Sequence, residues 1–129
     1  DWESDHGPIP KGCLVFLHTG WQAKWPNPNE YLGGTKVDQL HFPGFGLDAA
    51  EELFEGRGVA GFGSDTAGVE PGVDTGFSVS RLALDNRLVV LENLTNLDQL
   101  PLTGALVVVG LLRLEGGSGG PASVTALVP

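Results

Sequence analysis

The order of apolar and polar positions predicts more strands than helices. Five apolar runs are bounded by glycine, proline or acidic residues, as expected of short strands. They lie at residues 14–18, 59–63, 88–91, 105–114 and 124–128. The first run is apolar on both of its alternating faces, which is typical of a strand in a sheet that is covered on each side. The pattern therefore predicts an α+β (mixed α/β) fold class.

One segment, Asp48 to Glu55, has the pattern of a helix that packs on a core. Asp48 is placed to cap its N-terminus, and Glu51 stands three residues later, where it would complete a capping box. Gly56 is placed to end the helix. The apolar stripe expected to face the core consists of Ala50, Leu53 and Phe54.

Shorter helical and turn signals flank the strands. Asp1 to Gly7 is similar to the end of a helix, with Gly7 as its C-terminal cap and proline directly after it. Asn96 to Leu100 favours a single helical turn that Pro101 stops, and residues 116–120 form a glycine-rich turn.

Residues 19–46 break the periodic pattern and predict a long irregular loop. Prolines, a Gly33-Gly34 pair and several aromatic residues occur within it. Loops of this length inside compact domains are usually functional or disordered, and the aromatic content favours packing over disorder.

Length, charge and cysteine content limit the function classes. The 129 residues are 41% hydrophobic, which predicts a single domain, 1–129, with its own core. A net charge of −9 argues against binding to nucleic acid, which needs a basic face. No apolar run approaches the roughly 20 residues of a membrane span. The single Cys13 lies in an apolar run and is interpreted as a buried structural thiol.

Two features bear on the origin of the chain. It contains no methionine, which predicts a processed or truncated N-terminus. The triplet Asn93-Leu94-Thr95 is a glycosylation sequon in a segment interpreted as buried. Together they give a weak indication of a secreted protein, and the compartment stays open.

Five segments, in order and at consistent separations, resemble the cyclase family of metal-dependent hydrolases, the group that contains kynurenine formamidase and isatin hydrolase. The first two are a Thr-Gly-Trp turn after a strand, and a Pro-Gly turn before a helix. The others are a Gly-x-Asp-Thr strand end, a Glu-Asn-Leu signature and a closing glycine-rich turn. They correspond here to residues 17–21, 41–50, 63–66, 91–101 and 117–124.

The resemblance implies a swivelling β/β/α domain, incomplete at the N-terminus, and hydrolysis of an amide or lactam C–N bond with zinc or manganese. The family's main metal ligands lie in an upstream H-x-G-T-H-x-D-x-P-x-H motif, which this sequence lacks. Its histidines, at 6, 18 and 41, are too far apart to imitate that motif. Imidazole and carboxylate ligands in such a motif lower the pKa of metal-bound water to about 7.

A second part of the family's site falls within the chain and is altered. The family has a histidine twelve residues before its signature glutamate; here Glu92 is present, but Ser80 stands at the histidine position. A serine hydroxyl is a poor zinc ligand. Ser123 stands where the family has an arginine. The resemblance thus leaves Glu92 as the one candidate metal ligand and gives no residue a catalytic role.

Each candidate residue has a second interpretation. Glu92 is either a remnant ligand or proton shuttle, or a carboxylate that binds the following turn. Asp65 and Thr66 either line a pocket or satisfy nearby backbone N–H groups. Trp21 and Trp25, with Tyr31, form either an aromatic wall for a planar substrate or the anchor of their own loop.

Two functions from different classes remain open. The chain is predicted to be a degenerate or truncated family member that acts as a binding or structural module and lacks hydrolase activity on its own. The alternative is an active amidase that hydrolyses a small aromatic amide, with the missing metal ligands supplied by another chain or segment. Either function predicts a homo-oligomer or a partner chain that completes the fold, because an incomplete sheet exposes apolar surface.

Overall fold

The computed structural model describes residues 2–129, which form four short α-helices and five strands. The helices are α1 (Trp2–His6), α2 (Pro28–Leu32), α3 (Leu47–Glu51) and α4 (Ser78–Asp85). The strands are β1 (Leu14–Leu17), β2 (Gly61–Ser64), β3 (Val89–Leu91), β4 (Leu106–Leu111) and β5 (Ala122–Leu127). Single 3₁₀ turns lie at Trp21–Lys24, Val37–Gln39 and Leu97–Gln99, and a π-helical turn at Glu52–Gly56 extends α3. This is an α+β architecture, as the sequence predicts.

The chain divides into two compact units, Asp1–Leu97 and Asp98–Pro129. The prediction of one domain over 1–129 stays a prediction. In the described residues, no helix is both long enough and apolar enough to cross a membrane.

The larger unit is built on a three-stranded parallel sheet in the order β1-β2-β3. Val15 is opposite Phe62, and Phe62 is opposite Val90. Every residue of the central strand β2 is buried, whereas β1 is half-buried along its length because it lies at the sheet edge. The prediction that residues 14–18 are fully buried is therefore wrong, and the fully buried strand of the sheet is β2.

The core of this unit lies between the sheet and helices α3 and α4. It consists of Phe45, Ala50, Val59, Phe62, Val69, Val79 and Ala83. Val79 and Ala83 are one helical turn apart on α4, which faces the core with that side. Cys13 packs against the core and is only partly buried, and burial raises the pKa of its thiol.

The capping box predicted for Asp48 and Glu51 is wrong. Helix α3 begins at Leu47, so Asp48 lies inside the first turn, and Gly46 is the N-cap, without a side chain to cap with. Asp48 still complements the positive end of the helix dipole. The cap predicted at Gly7 is confirmed: Gly7 has φ of 85°, and its N–H donates to the carbonyl of Glu3 over 2.9 Å.

The smaller unit contains the antiparallel hairpin β4–β5. Val108 is opposite Thr125, Val109 is opposite Val124, and Gly110 is opposite Ser123. The hairpin pairs with no other strand among residues 2–129.

Candidate functional site

The site forms where the three parallel strands end. Thr19 follows β1, Asp65 follows β2, and Glu92 and Asn93 follow β3. In parallel sheets the carboxyl ends of the strands meet at one edge, which is where ligands bind in α/β proteins. Three of the five segments that resemble family motifs, 17–21, 63–66 and 91–101, are therefore brought to one edge of the sheet.

Asp65 is the anchor of this edge. It is fully buried, and its Oδ1 accepts hydrogen bonds from the Thr19 amide at 3.0 Å and the Thr19 hydroxyl at 2.7 Å. Its Oδ2 lies 3.5 Å from the Gln22 amide. The carboxyl group of Asp65 thereby fixes the start of the long loop after β1.

Gln22 ties the same loop to the segment after β3. Its Oε1 accepts hydrogen bonds from the Thr95 hydroxyl at 2.9 Å and the Asn96 amide at 2.6 Å. Asn96 has a positive φ of 60°, which presents its amide toward Gln22 in a tight turn. Two distant parts of the sequence are held together by one side-chain amide.

Tyr31, on α2, reaches into this edge and is 4% exposed. Its hydroxyl oxygen lies 3.1 Å from the carbonyl oxygen of Asp65 and 2.9 Å from Oδ1 of Asn93. Burial, with the nearby Asp65 and Glu92 carboxyl groups, raises the pKa of Tyr31 to about 12. The hydroxyl is therefore protonated at neutral pH and acts as a hydrogen-bond donor.

A cavity of about 490 Å³ opens beside these residues. Trp25 forms an exposed wall of it, packed edge to face on Tyr31 with ring centroids 5.0 Å apart. The lining consists of Gln22, Ala23, Trp25, Pro26, Tyr31, Asp65, Asn93, Leu94 and Thr95. Its size and mixture of aromatic and polar groups suit a small planar molecule.

The four pocket residues predicted from the sequence fall into two pairs. Trp25 and Asp65 line the cavity. Trp21 does not line it; its indole N–H donates to the carbonyl of Tyr31 at 2.8 Å, and the Lys24 ammonium lies 3.6 Å from its ring. Thr66 is buried beneath the site, with its hydroxyl donating to the Gly68 carbonyl at 2.8 Å.

Sequence reasoning missed Gln22 and did not assign Asn93 to the pocket. From the sequence, Asn93 belongs to the Glu-Asn-Leu signature and to a sequon in a segment interpreted as buried, whereas only Leu94 of the sequon is buried. A usable signal exists for Asn93, because it follows strand β3 at the ligand-binding edge. No comparable signal exists for Gln22, whose side-chain hydrogen bonds with Thr95 and Asn96 join residues more than 70 positions apart.

Glu92 lies beside a second carboxyl group, that of Glu70. Glu70 is 4% exposed and accepts a hydrogen bond from the Ser80 amide at 2.8 Å. Partial burial of its carboxyl group and the charge of Glu70 raise the pKa of Glu92. Glu70 thus accepts a hydrogen bond from the first turn of α4. The donor is the amide of Ser80, the residue that stands where the resemblance implies a histidine.

The donor set at this edge does not fit a zinc or manganese centre. Hydrolytic metal sites use three or more protein ligands, and no group of three histidine, cysteine, aspartate or glutamate residues that could hold a metal occurs in residues 2–129. The described residues therefore do not supply a hydrolytic metal centre by themselves.

Comparisons with known proteins find relatives that match almost the whole of this chain. An isatin hydrolase of Roseibium aggregatum is 33% identical over 132 residues, spanning 99% of this chain and 49% of its own length. Isatin hydrolase A from Ralstonia solanacearum superposes with a TM-score of 0.93 at 36% identity, over 99% of this chain and 50% of that chain. An isatin hydrolase bound to the product analogue thioisatinate gives a TM-score of 0.91 at 32% identity, over 99% and 50%.

The chain thus spans about half the length of the relatives that it matches. The sequence profile of the family described as "Putative cyclase" matches residues 1–71, more than half of the 129 residues. The resemblance found in the sequence motifs is confirmed by this match and by the structural similarity. The chain belongs to the cyclase family.

Proposed function

We propose that this chain is a non-catalytic binding module of the cyclase family, with its cavity as the site for a small planar aromatic compound. The observation that carries the proposal is the combination at one sheet edge of a formed aromatic cavity with a donor set too small for a hydrolytic metal.

The choice of ligand follows from the cavity and from the relatives. Trp25 and Tyr31 offer an aromatic wall, and the remaining lining supplies a few polar groups. The similar solved proteins are isatin hydrolases, one of them bound to thioisatinate. An isatin-type compound, in which a benzene ring is fused to a lactam, matches both observations.

Binding of isatin is expected to depend on Trp25. Removal of the indole in Trp25→Ala takes away the exposed wall of the cavity and should weaken binding about fivefold, as aromatic pairs contribute about 0.5–1.5 kcal/mol. Isothermal titration of isatin into the purified chain measures this. Trp2→Ala is the matched control, because Trp2 is also a partly exposed tryptophan and does not line the cavity.

Elemental analysis of the same preparations tests the non-catalytic part of the proposal. Incubation with zinc or manganese followed by desalting should leave much less than one ion per chain. Stoichiometric metal that is lost in Glu92→Ala would instead support the alternative, an amidase whose remaining ligands come from another chain. Failure of isatin to bind would contradict the proposal that this chain is a binding module for an isatin-type compound.

We further propose that the hairpin β4–β5 pairs with a second copy of this chain. A two-stranded hairpin is marginal alone and leaves unpaired strand edges. Leu106, Val108 and Leu127 on one of its faces are each more than half exposed. The segments 105–112 and 122–128 carry no charged residue, so two copies meet there without the repulsion expected from a net charge of −9.

Sedimentation velocity should show a dimer that Val108→Lys converts to a monomer. The substitution puts a charge on the exposed face, and truncation or charging of a central apolar contact costs about 2 kcal/mol or more, roughly a thirtyfold weakening. Val73→Lys is the control, because Val73 is 67% exposed and lies outside the hairpin. A monomer in the unsubstituted chain at high concentration would contradict self-pairing.

A further inference from the structure

The hydrogen bonds of Tyr31 determine which end of the Asn93 amide faces the cavity. Tyr31 has one hydroxyl proton but lies within hydrogen-bond distance of two groups, the Asp65 carbonyl at 3.1 Å and the Asn93 side chain at 2.9 Å. Only one of these two groups can receive the proton. The other group can interact with the hydroxyl only by donating a hydrogen bond to its oxygen.

The Tyr31 hydroxyl donates its proton to the Asp65 carbonyl rather than to the Asn93 side chain. Asp65 is fully buried, and within residues 2–129 the Tyr31 hydroxyl is the one donor to its carbonyl oxygen. A carbonyl oxygen can only accept, and leaving a buried one unsatisfied costs about 1–3 kcal/mol. Asn93 has no such restriction, since a 180° turn of its amide exchanges acceptor for donor.

With the proton on the Asp65 carbonyl, the Asn93 amide donates from Nδ2 to the tyrosine oxygen. A separation of 2.9 Å is within the usual range for N–H···O. The high pKa of Tyr31, about 12, keeps the hydroxyl protonated, so this arrangement holds at neutral pH. The Asn93 Oδ1 atom is then left as an acceptor at the cavity wall, and the described part of the chain gives it no other donor.

We infer that Asn93 makes the cavity selective for ligands that present an N–H donor beside an aromatic ring. The inference rests on the proposed function, because it concerns the same cavity. The lactam N–H of isatin would donate to Asn93 Oδ1 while its ring lies against Trp25. The carboxyl groups of Asp65 and Glu92 near this wall favour a donor over an anionic group.

Comparison of isatin with N-methylisatin tests the inference, because methylation removes the donor and keeps the ring. The unsubstituted chain should bind isatin about tenfold more tightly, the upper range for one neutral hydrogen bond. In Asn93→Gly, which suits the positive φ of 57°, the ratio should fall to about one. Arg87→Gly is the matched control, because Arg87 also has a φ of 60°, is exposed and lies outside the cavity lining, and it should keep the ratio.

Tyr31→Phe provides a second variant, in which the amide is free to turn and the ratio should fall to about two or less. Equal binding of both compounds by the unsubstituted chain would overturn the selectivity and leave the proposed function standing. An unchanged ratio in Asn93→Gly would overturn the role of Asn93. Absence of binding for both compounds would overturn the proposed function and this inference together.

Discussion

Replacement of Asp65 by alanine is expected to lower the free energy of unfolding by about 3 kcal/mol and to abolish ligand binding. Its carboxyl group accepts from the amide and hydroxyl of Thr19 and lies near the Gln22 amide. Hydrogen bonds to charged groups contribute about 1.5–3 kcal/mol, and donors left unpaired in a buried site add to the loss. The loop that carries Trp25 and Tyr31 would lose its anchor, so the cavity wall would no longer be held.

Chemical denaturation and isatin titration measure the two effects. Asp65→Asn should be intermediate, because it keeps one oxygen for Thr19 and replaces the other with a donor facing the Gln22 amide. Asp38→Ala serves as the control, since Asp38 is an exposed acidic residue in the same loop, and exposed substitutions usually change stability by less than about 0.5 kcal/mol. Equal effects at Asp65 and Asp38 would show that Asp65 is not an anchor.

Replacement of Gly44 by alanine should lower the free energy of unfolding by about 3 kcal/mol, at the upper end of the range for overpacking. A Cβ atom at Gly44 would lie 2.1 Å from the carbonyl carbon of Glu70 and 2.5 Å from the Pro71 nitrogen. Backbone atoms cannot rotate away, so the two segments must separate. That separation would weaken the hydrogen bond from the Phe45 amide to the Val69 carbonyl, now 2.7 Å long.

Gly46→Ala is the matched control two residues away. A Cβ atom there meets no atom within 4 Å, and Gly46 has a φ of −68°, which alanine adopts freely. Its stability should change by less than about 1 kcal/mol, because alanine restricts the unfolded chain but is less favourable than glycine at an N-cap. Thermal unfolding of both variants measures this difference in stability. Similar melting temperatures would contradict the close packing at Gly44.

The local elements of this protein were largely predictable because they depend on neighbouring residues. The apolar runs located all five strands, and the glycine at position 7 located a helix end. Helix α4 was not predicted, although Val79 and Ala83 repeat at helical spacing, because its eight residues include two serines and no N-cap side-chain bond. The prediction of a capping box is wrong because the helix begins two residues earlier than predicted, which places Asp48 in the first turn and Gly46 at the N-cap.

The candidate site was predictable only where its residues follow strands. Asp65 was found from its position after a strand, and Trp25 from the aromatic content of the loop. Gln22 and the pairing of Tyr31 with Asn93 were not found, because their hydrogen bonds join residues 62 to 74 positions apart.

The order of residues was enough to identify the α+β class, the family resemblance, and the absence of the family's upstream ligand motif from this chain. These properties are carried by local periodicity and by motif residues, which can be identified without knowing their neighbours in space. The burial of Asp65 and the position of Trp25, Tyr31 and Asn93 around one cavity became visible in the folded chain. Hydrogen-bond partners and burial depend on which strand ends meet, and the folded sheet decides that.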